Sequence, residues 1–367
     1  MRIGIDARLS GAQHAGIGRY TQNLLREALK QNKRDIFVCF FYNEEQATAV
    51  LGPYRNNKNL LVVYTPIRHY TLAEQIELPK QFAAENLDLL HVPHFNIPIF
   101  YKGKLIITIH DLLWHEYKGS SVTTLSPIKY VMKYLFYRLV TRIAVHKAEK
   151  ILVPAETIKN TVIKFYPKTK LKIVVTKEGA EIADPKKITH QPKLKNTLLY
   201  VGSLYPHKNL NLILQSLGSL PKYRLLIAGA RSVFQDRVKA YVKQKGVEEQ
   251  VEFLGYVPDE KLAQLYQQVT ALVQPSFSEG FGLTGIEAMS FGTSVLASDI
   301  PIFKEIYQNA AFYFSPHSSA SFIQAVHALE QSSDKTNFEG KALVKNYSWE
   351  KMAAQTLEVY QDIVKKK

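Results

Sequence analysis

Two glutamates bracket the run Glu279-Gly-Phe-Gly-Leu-Thr-Gly-Ile-Glu287. A strand-like apolar segment, residues 271–274, precedes it and a short helical segment follows. The run is therefore a strand-to-helix loop, with Gly280 and Gly282 letting the backbone come close to a ligand. Thr284 is the expected N-cap. The amides of Leu283, Thr284 and Gly285 then form a nest of donors at a helix N-terminus, where a diphosphate binds well. Carboxylates flanking that nest suit hydroxyls at the two ends of a sugar nucleotide. The spacing Thr284-x-x-Glu287 also fits a capping box, in which Glu287 only satisfies a backbone donor. That alternative leaves Glu279 and the paired glycines unexplained.

A loop of this kind needs a sheet to carry it. Strand-like runs at residues 2–6, 37–41, 60–64, 89–92, 105–109 and 150–154 alternate with helical segments. The first run is followed by the Gly-bearing loop 10–18 and a helix from Arg19. A polar stretch rich in Lys and Pro interrupts the alternation, which resumes with runs at 198–201, 223–228, 251–254, 271–274 and 294–297. The reading is α/β, with largely parallel sheets covered by helices. It places a first domain over residues 1–180, a linker over 181–195 and a second domain over 196–345. A closing helix over 346–367, N-capped by Ser348, is expected to pack back on the first domain. Two doubly wound sheets facing each other would bind ligand in a cleft at the carboxyl ends of their strands.

Composition limits the setting. The chain has 367 residues, 46% of them apolar, with a single cysteine and a net charge of +15. Disorder and a disulfide scaffold are excluded. Cys39, in an apolar run, reads as a small buried hydrophobe in a reducing cytoplasm. An acid at position 6 argues against a signal peptide, and no apolar run reaches the roughly 18 residues of a spanning helix, so a chain that stays on one side of the membrane is expected. The charge is regional: residues 1–190 carry 28 Lys and Arg against 16 Asp and Glu, and residues 118–177 carry 13 against Glu149 and Glu156 alone. An anionic surface or a phosphate-bearing partner would answer such a region. Residues 130–145 read as a long aromatic-rich helix, in which Lys129, Lys133 and Lys147 fall on one side and Arg138 and Arg142 on the other, so a clean amphipathic membrane helix is not expected.

The run from Glu279 to Glu287 resembles the paired-glutamate signature of retaining glycosyltransferase family 4, whose members have the two-domain GT-B architecture of facing Rossmann-like domains. The resemblance extends through Gly4-Ile-Asp-Ala-Arg8, Gly16-Ile-Gly-Arg-Tyr20, Thr108-Ile-His-Asp-Leu112, Tyr200-Val-Gly-Ser-Leu-Tyr-Pro-His-Lys-Asn-Leu210, Leu226-Ile-Ala-Gly229, Phe253-Leu-Gly-Tyr-Val257 and residues 301–305. It implies that Glu287 holds the ribose hydroxyls, that Glu279 contacts the transferred sugar, and that the amides of Gly282, Leu283 and Thr284 receive the diphosphate. It further implies that Lys208, after the Gly202-Ser203 turn, neutralises the diphosphate, and that His110 reaches the donor sugar beside the reacting carbon. Read alone, His110 is sooner a satisfied loop histidine before Asp111. Gly16, Gly18 and Arg19 fall by analogy on the acceptor side, and the incomplete glycine fingerprint there argues against NAD.

Relatives often carry an arginine where this chain has Ser203 or His207. The positive charge on the diphosphate is expected to be weaker or pH dependent here, unless Arg19 or Arg231 makes it up. With no Asp-x-Asp site, no metal or other cofactor is expected. The implied activity is a retaining hexosyl transfer from a nucleotide-diphosphate sugar, GDP-mannose ahead of UDP-hexoses, to a glycan or lipid-linked acceptor in surface polysaccharide assembly. The expected site of action is the cytoplasm or the inner membrane face, with an anionic membrane surface as a further partner. A GT-B sugar-nucleotide 2-epimerase and a basic nucleic-acid-binding protein are the competing readings. No nucleic-acid motif supports the second, so no nucleic acid is expected as a partner.

Overall fold

The structure, a computed structural model, describes residues 1–11, 14–119, 123, 126–180, 192–229, 233–332 and 335–365. The chain forms two compact units. The first comprises Met1–Leu112, Pro127–Gly179 and Ser348–Lys367, and the second Leu113–Ser126 and Ala180–Tyr347.

In the first unit, β1 (Arg2–Asp6), β2 (Ile36–Phe41), β3 (Leu60–Tyr64), β4 (Leu89–Val92), β5 (Leu105–Thr108), β6 (Lys150–Val153) and β7 (Ile173–Val175) form one sheet. It runs in the order 3-2-1-4-5-6-7, parallel throughout. A parallel sheet is covered on both faces, which is why β2 reads as an unbroken apolar run with Cys39 fully buried. At the carboxyl end of β1, the Arg8 guanidinium is completely buried. It donates to both carboxylate oxygens of Asp6 (2.8 and 2.7 Å), to Glu74 (3.0 Å) and to the Ile67 carbonyl (2.9 Å), fastening the segment after β3 over the sheet edge.

The second unit repeats the plan with β8 (Leu194–Val201), β9 (Arg224–Ala228), β10 (Val251–Gly255), β11 (Val269–Gln274), β12 (Ser294–Ser298) and β13 (Phe312–Phe314), ordered 10-9-8-11-12-13. Both sheets thus reverse strand order once, between β1 and β4 and between β8 and β11. β8 begins at Leu194, inside the stretch read as linker, and residues 181–191 of that stretch lie outside the described residues. Residues 113–126, read as part of the first domain, group with the second unit. There the Tyr117 hydroxyl donates to the Phe277 carbonyl (3.3 Å) and Ser278 donates to Glu116 (3.4 Å).

The Trp349–Lys365 helix belongs to the first unit, with the Ser348 hydroxyl accepting from the Lys351 amide. Its Leu357, Val359, Tyr360 and Ile363 join the core of Ile3, Ile5, Leu89 and Ile106. A polar string threads that core. The Tyr360 hydroxyl lies 2.6 Å from His91 Nδ1, His91 Nε2 lies 2.8 Å from Thr108 Oγ1, and the Tyr20 hydroxyl lies 3.2 Å from the same Thr108 oxygen. Burial, helped by the charge of His110, lowers the His91 pKa to about 3, so the ring is neutral. Tyr360→Phe strips the buried His91 Nδ1 of its partner and should cost about 1–3 kcal/mol in denaturant unfolding. An unchanged midpoint would mean that the string contributes nothing.

Candidate active site

In the second unit, the carboxyl ends of β8 and β11 flank the strand-order reversal, and each opens into one of the segments that the sequence singles out. After β8, the Gly202 amide donates to the Ala228 carbonyl (3.0 Å) and the Ser203 carbonyl accepts from the Tyr200 hydroxyl. The turn Pro206–Lys208 follows, ending on Asn209 in the left-handed region (φ 56°, ψ 31°). Asn209 Nδ2 donates to the carbonyls of Pro275 (2.9 Å) and Pro316 (2.8 Å), and the Phe277 amide donates to the His207 carbonyl (2.8 Å). These bonds clamp the two loops together. They bring Lys208 Nζ to 2.7 Å from Glu279 Oε1, an oxygen that also accepts from Ser276 Oγ at 2.8 Å.

Burial by itself would raise the Glu279 pKa. The charge of Lys208 and the hydrogen bonds from Lys208 and Ser276 outweigh it and hold the carboxyl below its usual range. His207 is buried, and burial together with the Lys208 charge pushes its pKa down to about 4. The pH-dependent cation expected at His207 is therefore absent near neutrality, and Ser203 supplies none. Arg231 lies outside the described residues.

The Leu283–Ser290 helix begins two residues earlier than expected. Gly282 (φ +92°) is its N-cap, with no side-chain cap, and Thr284 sits inside the first turn, its hydroxyl accepting from Gln274 Nε2 at 2.9 Å. The cause is Tyr307. Its hydroxyl lies 2.6 Å from both Gln274 Oε1 and the Gly282 carbonyl, and a Cβ on residue 282 would stand 2.2 Å from it. The left-handed glycine turns the chain into the helix there, so Thr284 and Glu287 do not occupy the two positions of a capping box. The amides at the helix start remain without a capping side chain. Glu287 is buried, with the Tyr266 hydroxyl 3.4 Å from Oε2.

In the first unit, His110 follows β5. Its Nδ1 lies 2.9 Å from Glu178 Oε1, while Nε2 is buried and has no hydrogen-bond partner among the described residues. The Tyr20 ring meets the imidazole edge-on at 4.7 Å. The first helix starts at Ala15, so Gly16 and Gly18 occupy its opening turn and not a loop, while Arg19 is helical as expected. It can start there because Gly18 rests on the backbone of Gly11, where a Cβ would come within 2.0 Å of the Gly11 carbonyl oxygen. Glu178, Gln274, Ser276 and Tyr307 carry no motif that marks them, and Asn209, inside the Tyr200–Leu210 segment, was given no role. Only Asn209 had a usable signal, as an asparagine tolerant of the left-handed region placed directly before a helix.

Because the folded Glu279 pKa lies below its ordinary 4.5, the stability it contributes is complete above about pH 4.5 and is lost as pH falls through the depressed value. In Lys208→Met, burial without the cation raises that pKa and reverses the sign. Unfolding free energies measured from about pH 6 to about pH 3 should fall more steeply for the natural chain than for Lys208→Met. Parallel curves would show that the pair does not form in solution.

Two family models match the chain: Glycosyltransferase Family 4 over residues 14–182 and Glycosyl transferases group 1 over residues 182–342. The O-antigen chain mannosyltransferase RfbU of Salmonella typhimurium is 28% identical over 331 residues, covering 88% of this chain and 90% of its own. The O-antigen chain mannosyltransferase B of Escherichia coli is 35% identical over 173 residues, 44% of this chain and 45% of its own. The structure of Anabaena HepE in complex with UDP and glucose superposes with a TM-score of 0.75 at 17% identity, over 98% of this chain and 99% of that one, a likeness of fold. Spanned from residue 14 to residue 342 by the two models, the chain belongs to the family 4, group 1 glycosyltransferases and has the GT-B fold.

Proposed function

We propose that this glycosyltransferase moves a hexose, with retention of configuration and without a metal ion, from a nucleotide-diphosphate sugar to a glycan or lipid-linked acceptor in surface polysaccharide assembly. GDP-mannose is the first donor to test and UDP-hexoses are the alternative. One observation carries the reading: the Lys208–Glu279 pair stands at the strand-order reversal of the second unit, and Glu279 belongs to the loop that leads into an N-terminus without a side-chain cap. The relatives named as O-antigen chain mannosyltransferases support the sugar, while the UDP and glucose bound by HepE keep the other base open. Among the described residues no helix is long and apolar enough to cross a membrane. Action from the cytoplasm at the inner membrane face is part of the proposal.

When the sugar–diphosphate bond breaks, negative charge grows on the departing phosphate and oxocarbenium character on the sugar. Lys208 and the amides of Gly282, Leu283 and Thr284 stabilise the former. Both contacts to Glu279 fall on Oε1, so Oε2 is the oxygen that would accept a sugar hydroxyl. Glu287 would take the ribose hydroxyls. The His207 ring, neutral at working pH, packs beside Lys208 and supplies no charge of its own. In the first unit, Glu178 fixes the orientation of His110 by accepting a hydrogen bond from Nδ1–H, and Nε2, without a partner among the described residues, is the nitrogen that would act on the donor sugar.

Thermal shifts against GDP-, UDP-, ADP- and dTDP-sugars should single out one nucleotide. Lys208→Ala should then lower turnover about a hundredfold or more, as loss of a charged transition-state contact does, in the presence of EDTA as in its absence. Full activity of Lys208→Ala, or an EDTA-silenced natural chain, would sink the reading. Glu178 acts through His110 and is a positioning residue. Glu178→Ala should reduce kcat roughly ten- to a hundredfold with little change in KM, and Glu178→Gln, which keeps the acceptor oxygen, should recover most of it. Equal losses in the two variants would leave Glu178 with a packing role only.

A further inference from the structure

The Pro127–Lys147 helix is held to the first unit by one buried face, made by Tyr137, Val140, Thr141, Ala144 and Val145. Its opposite face is apolar and open. Ile128, Val131, Met132, Leu135 and Leu139 are 51 to 77% exposed. At about 100° per residue, four of the five fall within a sector roughly 60° wide, with Val131 about 40° beyond it, over about 16 Å of helix. Arg138 and Arg142 run along one side of this stripe and Lys129 flanks the other, while Lys133 lies farther round the helix, over Tyr70.

The patch continues beyond the helix. Lys133 Nζ lies 5.6 Å above the ring of Tyr70, itself half exposed, and Leu72 and Ile76 in the next helical turns are 77% and 53% exposed. The region 118–177 that contains the stripe holds 13 Lys and Arg against two glutamates.

We propose that this face docks the protein on an anionic lipid bilayer, with the apolar stripe entering the headgroup boundary and the bordering Lys and Arg meeting lipid phosphates. The inference rests on the proposed lipid-linked acceptor and names the surface that would deliver it. Charge selects this occupant. A second copy of the chain would set one strongly positive face against another, and a nucleic acid would use the cations while leaving the apolar stripe in water.

The test is sedimentation of the full chain with phosphatidylcholine vesicles, with and without phosphatidylglycerol. The natural chain should bind the anionic vesicles, bind the neutral ones poorly, and dissociate as salt is raised. Leu135→Ser/Leu139→Ser should lower the partition coefficient about tenfold or more. Lys129→Ser/Lys133→Ser should lower binding to anionic vesicles only. All four residues are solvent-facing, so thermal midpoints should stay near that of the natural chain. The proposal is overturned if the natural chain stays in the supernatant, or if the leucine variant sediments like it. It is equally overturned if gel filtration shows a dimer that the leucine variant abolishes, because the face then belongs to a second copy. Donor-induced thermal shift is read separately, without vesicles, so a failure of the glycosyltransferase site and a failure of the docking surface give different results.

Discussion

An all-parallel sheet wound outward in both directions has one place where neighbouring strands send their connections to opposite sides, and the loops there cannot cover each other's backbone. Much of the candidate chemistry follows from that constraint. In the second unit, the gap between the carboxyl ends of β8 and β11 is bridged by Lys208 and Glu279, 2.7 Å apart, with Asn209 tying the Lys208 turn to the carbonyls of Pro275 and Pro316. Neither side chain could be held this way from a single loop. The ion pair exists because the topology delivers one partner from each side, and the Lys208 charge holds the Glu279 carboxyl below its usual range against the effect of burial.

The first unit meets the same constraint with a different device. Arg8, fully buried, answers Asp6 at the end of β1 and Glu74 from the Leu72–Ile76 turn, so a charge cluster anchors the segment that follows β3. Its cost of desolvation is offset by good geometry, a bidentate fork plus a carbonyl, and removal of any one partner would strand a buried charge. In the same unit, the polar string from Tyr360 through His91 and Thr108 ends at Tyr20, whose ring packs on His110. The closing helix therefore supports the His110 neighbourhood through the core, although 250 residues separate Tyr360 from His110 in sequence.

Much of this was legible in the residues, and what was not has physical reasons. Strands buried on both faces announce themselves as apolar runs. β7 and β13, three residues each, are too short to show a pattern. The first helix begins at Ala15 because Gly18 can touch Gly11, and the Leu283–Ser290 helix begins at Leu283 because Tyr307 fills the space above Gly282. Both starts are set by contacts that capping rules do not contain. The Glu178–His110 pair spans 68 positions and Asn209–Pro316 spans 107, distances over which no periodicity links the partners. In the Pro127–Lys147 helix the cations were counted correctly, but their meaning depends on which face the sheet covers, and burial alone reveals that.

The missing arginine gives the second unit a specific electrostatic character. With Ser203 uncharged and the pKa of His207 pushed down to about 4, Lys208 is the cation of the turn, and Glu279 already neutralises it. A cation that is paired before the ligand arrives attracts a diphosphate less from a distance than a spare guanidinium would. In the proposed reading, Lys208 turns from Glu279 to the diphosphate, and the same movement leaves a carboxylate with an unspent negative charge beside the sugar. Glu279 then gains more from a sugar hydroxyl than it would in the resting state, since a hydrogen bond to an unpaired carboxylate is stronger than one to a carboxylate sharing an ammonium. Recognition of the diphosphate and recognition of the hexose become coupled through one exchange of partners. In that reading a nucleoside diphosphate without its sugar would draw Lys208 away and leave Glu279 with only its Ser276 hydrogen bond, and the site would favour the complete donor over its own leaving group.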